Sequence, residues 1–246
     1  MNIIAENTLA AVAALRPLAD LPVYREVLEN ACARTPPPFG MAWYGEKYRQ
    51  YAADPYWLCQ SLIANAEKEG EGAAKLWAIA GRAGGPSAEI KAHAVDESRH
   101  AKVYISMLGT VFPGSVDPDL RASLLALSPG YRMSQDLPVA SLGREQRLVD
   151  EIVQMNIGEI RTRIHQLLLK PVVLAHAGDE TRPRATHMVD ALLGDETRHI
   201  EYTARLLEGF ARRGYEEFIR TSFQTRLQQF NEITLDEVGA LVFDGE

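Results

Sequence analysis

The chain has 246 residues, 46% of them apolar, 24% charged and 8% aromatic, and a formal net charge of −7. This negative balance disfavours a protein that binds nucleic acid or an anionic membrane through a basic face. Two cysteines, Cys32 and Cys59, are too few for a disulfide framework or a thiolate metal cage. No apolar run is long enough for a membrane span, and the N-terminal MNIIAEN lacks the pattern of a signal peptide. We therefore expect a cytoplasmic globular protein with no nucleic-acid or membrane partner.

Apolar residues recur every three or four positions along most of the chain, and runs of alternating β-branched residues are absent. This period predicts an all-α fold. In chain order, one or two short helices broken near Pro17 and Pro22 are predicted within residues 5–33. A rigid connector follows from Thr35 to Gly40.

Four longer helices come next, and caps, Gly and Pro delimit them. Their predicted spans are about 54–82, 87–108, 141–170 and 181–213, with Asp54 and Ser87 as caps, Pro55 at a first helical position, and turns at 83–86 and 178–179. A linker over about 110–140 joins the two pairs, and Pro171 should kink or split the third long helix. Residues 215–232 predict a fifth helix before a weakly ordered tail.

Two helical hairpins pack most economically as four antiparallel helices. We therefore expect one domain over residues 1–246. It would have a bundle core at about 54–213, N-terminal helices within 1–50, and a C-terminal helix and tail over 214–246.

A five-residue motif occurs twice in the predicted bundle. Asp96-Glu97-Ser98-Arg99-His100 lies in the second long helix, and Asp195-Glu196-Thr197-Arg198-His199 lies in the fourth. Each copy contains Glu-x-x-His, and the i,i+3 spacing places a carboxylate and an imidazole on one helix face. On helical wheels both pairs fall among apolar residues, where ionised carboxylates are costly unless a partner such as a metal ion compensates them.

A dinuclear site in such a bundle needs one carboxylate from each remaining helix. The third long helix offers Glu159, on the same side as Ile152 and Asn156, whereas His165 is expected to face solvent. Glu159 and the second motif are also about equally far from the turn at 178–179, as antiparallel packing requires.

The first long helix offers three glutamates, Glu67, Glu69 and Glu71. Its predicted core stripe includes Ala66, Gly70, Ala73 and Trp77. Glu69 lies nearest this stripe and is the predicted ligand, with Glu67 as the alternative.

The predicted ligand set is Glu69, Glu97, His100, Glu159, Glu196 and His199. Its four glutamates bring a charge of −4, which two divalent ions would balance. Carboxylates with one imidazole per ion suit iron or manganese, whereas structural zinc usually has more Cys or His ligands.

In these motifs the sequence resembles the ferritin-like di-iron carboxylate proteins, over about residues 54–213. That family has a Glu, Glu-x-x-His, Glu, Glu-x-x-His pattern on four helices, and the doubled D-E-x-R-H is most similar to its oxygen-activating branch. The resemblance implies that Asp96 holds His199, that Asp195 holds His100, and that Arg99 and Arg198 brace these carboxylates.

The resemblance further implies an oxygen-dependent di-iron oxidoreductase, an oxygenase or oxidase that oxidises a small organic substrate through a peroxo-diiron intermediate. Two iron ions, with manganese as the alternative, and O2 as co-substrate would be needed, and electrons would come from a ferredoxin or a flavin reductase. Homodimerisation is compatible with this interpretation. The alternatives are a manganese catalase or rubrerythrin-like peroxidase, and a non-enzymatic metal-binding bundle or partner subunit.

Two further residues lie on the face of the first motif. His93 stands four residues before Glu97, and Tyr104 stands four residues after His100. A structural or outer-shell role is expected for His93 rather than ligation, and core packing is expected for Tyr104 rather than a redox or pocket role.

Overall fold

The computed structural model describes residues 2–81, 87–115, 119 and 143–243. Across these residues the secondary structure is helical and contains no strand, so the predicted all-α class is confirmed. The α-helices are α1 Ile3–Ala13, α2 Pro22–Arg34, α3 Ala42–Ala52, α4 Pro55–Ala80, α5 Ser87–Val111, α6 Arg144–His176, α7 Arg182–Phe210 and α8 Glu216–Phe243. Short 3-10 turns occupy Leu18–Asp20 and Pro38–Gly40.

The helix starts predicted from caps and prolines agree with the structure where it describes them. Asp54 accepts a hydrogen bond from the backbone N–H of Tyr56 at 3.0 Å, and Pro55 opens α4. Pro17 and Pro22 lie at the break between α1 and α2. Helix α3 was not predicted. The predicted turn at 83–86, the cap role of Ser87 and most of the 110–140 linker lie outside the described residues.

Pro171 does not split the third long helix, contrary to one of the two predicted outcomes. Helix α6 runs through it from Arg144 to His176. Proline has no backbone N–H, so Pro171 cannot donate the usual hydrogen bond to the backbone carbonyl of Leu167, four residues earlier. Leu167 is exposed. Water can therefore satisfy that carbonyl, and the helix continues.

The C-terminal region is more helical than expected. A π-helical turn over Ala211–Tyr215 follows α7, and Gly214 within it has a φ of 94°, which glycine adopts without steric cost. Helix α8 then continues to Phe243, beyond the predicted helix end at about residue 232.

The chain groups into two compact units. The first comprises Met1–Glu46, Pro138–His165 and Glu196–Glu246, and the second comprises Lys47–Leu137 and Gln166–Asp195. Helices α3, α6 and α7 contribute residues to both. The single domain inferred from the sequence stays a prediction.

The second unit has an apolar core with residues from α4, α5, α6 and α7, and α4 and α5 pack against each other. Small and large side chains interdigitate there, including Ala66, Leu62, Met107 and Leu192. Trp77, expected in the core stripe of α4, is instead 43% exposed. It lies at the end of the helix, where an indole ring can keep one face in water.

The first unit is fixed by buried polar contacts as well as by apolar packing. The carboxylate of Glu208 accepts hydrogen bonds from the backbone N–H groups of Val23 and Tyr24, each at 3.0 Å. These are N-terminal amides of α2, whose own cap residue, Leu21, provides no side-chain acceptor. A buried carboxylate from α7 therefore caps α2 and complements its dipole.

Candidate metal-binding sites

The second unit brings together three of the predicted ligands. Nδ1 of His100 lies 3.3 Å from Oε1 of Glu97 on the same helix and 3.8 Å from Oε2 of Glu69 on α4. All three residues are buried, and His100 is 0% exposed. Two carboxylates thus face the same imidazole nitrogen inside the protein.

Glu69 is distinguished from its two neighbours by burial. Glu69 is 7% exposed and faces His100, whereas Glu67 and Glu71 are exposed. The helical wheel placed Glu69 nearest the core stripe, and its burial agrees with that placement.

Asp195 fixes the other side of the His100 ring. Its Oδ2 lies 3.0 Å from Nε2 of His100 and also accepts a hydrogen bond from the guanidinium of Arg99. A carboxylate can only accept, so Nε2 carries the proton, and in the neutral ring the lone pair of Nδ1 points toward Glu69 and Glu97.

The contact implied for Asp195 and His100 is therefore present. Arg99 also donates to Asp96 at 2.9 Å and so links the aspartates of both motif copies. The contacts implied between Asp96 and His199, and for Arg198, stay predictions.

The carboxylates around His100 change its proton affinity. Burial by itself lowers the pKa of the imidazole, but Asp195, Glu69 and Glu97 outweigh burial and raise the pKa well above the ordinary 6.5. This cluster therefore attracts positive charge strongly.

The first unit holds the other three predicted ligands in a similar arrangement. Nδ1 of His199 lies 3.4 Å from Oε2 of Glu159 on α6 and 3.6 Å from Oε2 of Glu196 on its own helix. Glu196 is 0% exposed, and the Glu159 side chain is 13% exposed. Again, two carboxylates face one Nδ1 atom.

A hydrogen-bond network sets the register of α6 and α7 in this unit. Nδ2 of Asn156, one turn before Glu159, donates to Oγ1 of Thr203 at 2.9 Å, and Tyr24 donates to Oδ1 of Asn156 at 3.1 Å. The Thr203 hydroxyl donates to the backbone carbonyl of His199 at 2.7 Å. The helical pattern placed Asn156 on the same face as Glu159. It could not predict the hydrogen bonds of Asn156, because Thr203 and Tyr24 lie on other helices.

The donor chemistry of both sets fits a metal ion. Ligand atoms that share an ion at about 2.1 Å stand roughly 3–4 Å apart, and the four carboxylate–imidazole distances are 3.3, 3.8, 3.4 and 3.6 Å. Gly72 provides space beside one ligand, since a Cβ there would lie 3.2 Å from Oε2 of Glu97. Glu69, Glu97 and His100 belong to a buried group of donors that could hold a metal ion, and Glu159 and His199 belong to a second such group.

The remaining candidates have different surroundings. Tyr104 is buried in the apolar core of the second unit, as core packing requires. His165, expected to face solvent, is half-buried, and its Nε2 lies 2.8 Å from the hydroxyl of Tyr44. Burial raises the pKa of Cys32 to about 12, so this thiol is neutral and is not a thiolate ligand.

Comparisons of the chain with protein families, with curated proteins and with solved structures returned no match. Within the part of the chain that the structure describes, no helix is long and apolar enough to cross a membrane.

Proposed function

We propose that the protein is an oxygen-dependent di-iron oxidoreductase with a ferritin-like four-helix bundle, and that the predicted ligands hold two iron ions. One observation carries the proposal: the same local geometry is built twice. In each unit a Glu-x-x-His pair and a glutamate from another helix bring two carboxylates within 3.3–3.8 Å of one imidazole nitrogen.

Electrostatics favours two divalent ions over one. The four glutamates carry a formal charge of −4 if ionised, and most of their surface is removed from water. Uncompensated carboxylates in such surroundings are costly, whereas two divalent ions bring +4. One imidazole and two carboxylates per ion suit iron or manganese.

Two ferrous ions, when bound, supply electrons that activate O2 for the oxidation of a small organic molecule. The side chains of the protein orient the metal ligands and exclude bulk water from the site. Asp195 keeps the Nε2 proton of His100 in place, so Nδ1 remains available as a donor. Burial of His100, Glu97 and Glu196 separates the reacting positions from bulk water.

Continuous turnover requires reducing equivalents from outside the chain. A ferredoxin or a flavin reductase would provide them, and the organic substrate would enter beside the metal ions. A manganese catalase or peroxidase, and a metal store without turnover, use similar donors and are the alternatives that experiment must separate.

The first test is metal stoichiometry. Protein loaded anaerobically with Fe(II) should bind two ions per chain, and Glu196→Gln should bind fewer while retaining its helical content. Glu67→Gln is the matched control, because Glu67 is exposed and should not affect loading. A reproducible value of one ion in the wild-type protein, or retention of zinc in preference to iron, contradicts the dinuclear proposal.

The second test separates an enzyme from a store. Loaded protein supplied with ferredoxin, ferredoxin reductase and NADPH should consume O2 over many turnovers, even without the organic substrate. A metal store would stop once its iron is oxidised. Rapid breakdown of H2O2 by manganese-loaded protein, together with no reductant-dependent O2 consumption, would support the catalase alternative instead.

A further inference from the structure

His93 lies on α5 one turn before Glu97, and both residues belong to the second unit. Its side chain is 1% exposed, and its Nε2 lies 3.4 Å from Oε1 of Glu97. The same Oε1 atom lies 3.3 Å from Nδ1 of His100. One carboxylate oxygen therefore lies near two imidazole nitrogens on a single helix face, at positions i, i+4 and i+7.

Both distances are longer than a normal N–H···O hydrogen bond of about 2.7–3.2 Å. They match the separation of about 3–4 Å expected for donor atoms that share a metal ion. The distance between His93 and Glu97 is thus close to the distance between His100 and Glu97. The structural or outer-shell role expected for His93 stays a prediction, and the same geometry also fits a metal donor.

His93 does not belong with the donors around His100. Ligand atoms of Glu69, Glu97 and His100 all lie within 4.8 Å of one another, in a group that does not include His93. Because a carboxylate can bind two ions and Oε1 of Glu97 faces both imidazoles, Glu97 can connect an ion on the His100 side with another on the His93 side.

We propose that His93 is a seventh protein ligand and that it binds, together with Glu97, an iron ion other than the one held by His100. This inference rests on the proposed function. Helix α5 would then supply three ligands, with Glu97 between the ions. The charge balance stays unchanged because imidazole is a neutral donor, but the two ions have unequal donor sets.

The experiment compares His93→Ala and His93→Gln with the wild-type protein by anaerobic calorimetric titration with Fe(II). Wild-type protein should bind two ions. Each variant should bind one ion with an affinity within about threefold of the wild-type value, and it should bind the other ion at least about 10-fold more weakly than the wild-type protein does. Millimolar imidazole should restore the weakened ion in His93→Ala, because it can fill the vacated space and donate to the metal. His187→Ala is the control, since His187 is exposed on α7.

Mössbauer spectra of the 57Fe(II)-loaded protein provide a second readout independent of activity. The wild-type protein should give two distinct doublets of equal area, and both variants should lose one. Helical content and melting temperature of the apoproteins establish folding, and His93→Gln carries the test if His93→Ala does not fold.

Wild-type affinity for both ions in His93→Gln would overturn the inference, because an amide N–H can replace a hydrogen bond to Glu97 but is a poor substitute for an imidazole ligand. Loss of the ion without rescue by imidazole would overturn it as well. Failure of the wild-type protein to bind two ions would instead contradict the proposed function.

Discussion

Replacement of Asp195 by asparagine tests how the chain orients His100, a proposed metal ligand. Oδ2 of Asp195 lies 3.0 Å from Nε2 of His100, and both residues are buried. The carboxylate holds the proton on Nε2. Asparagine can instead donate its amide N–H to Nε2, which would move the ring proton to Nδ1, the atom facing Glu69 and Glu97.

The magnitude follows from the type of contact. Loss of an outer-shell carboxylate behind a histidine ligand costs about 10–100-fold in metal affinity, or about 1.4–2.7 kcal/mol. The effect on folding of the apoprotein should be smaller. Arg99 is exposed enough to hydrate its guanidinium and keeps its hydrogen bond to Asp96 at 2.9 Å. Asp195→Asn should therefore fold and bind one ion about 10–100-fold more weakly.

Anaerobic calorimetry with Fe(II) in buffers of different ionisation enthalpy measures both affinity and proton release. Asp195 raises the pKa of His100, so the variant should also release fewer protons per bound ion. Asp190→Asn is the matched control on the same helix, because Asp190 is exposed and contacts Lys170 at 2.5 Å. Wild-type affinity and proton release in Asp195→Asn would refute the orienting function.

Three further predictions concern the same unit. Glu69→Gln should lose at least one Fe(II) ion, as measured by metal content, because it removes a buried charged donor that faces His100. The pKa of His100 is raised in the folded apoprotein, so the proton on His100 stabilises the apoprotein below about pH 6.5, and this stabilisation is lost as pH rises. The difference between the melting temperatures of the loaded protein and the apoprotein should therefore increase from pH 6.5 to 9. Gly72→Ala should weaken Fe(II) binding, because the new methyl group would press on Oε2 of Glu97 at 3.2 Å.

Matched variants make these predictions specific. Glu67→Gln should leave the metal content unchanged, because its side chain is exposed. Gly109→Ala should raise the melting temperature without changing Fe(II) affinity, since nothing lies within 4 Å of the added Cβ and alanine favours a helix by about 0.5–1 kcal/mol. The prediction from the raised pKa of His100 would be wrong if the difference between the melting temperatures of the loaded protein and the apoprotein decreased as pH rises.

The sequence alone determined the helical class and the chemical types of the donors. Helical period, the Asp54 cap and Pro55 act over one or two turns, so they can be recognised without knowledge of tertiary contacts. The i,i+3 spacing of each Glu-x-x-His pair is equally local. That spacing predicted which side chains could share an ion. The helical wheel of the first long helix favoured Glu69 over Glu67 and Glu71 as the ligand from that helix.

Contacts between helices depended on tertiary structure. The register that brings Asn156 to Thr203, the contact of His165 with Tyr44 and the exposure of Trp77 all follow from packing that periodicity does not encode. His93 shows the same limit within one helix. Its spacing placed it on the face of Glu97, but only side-chain rotamers fixed by the surrounding core bring Nε2 within 3.4 Å of the carboxylate.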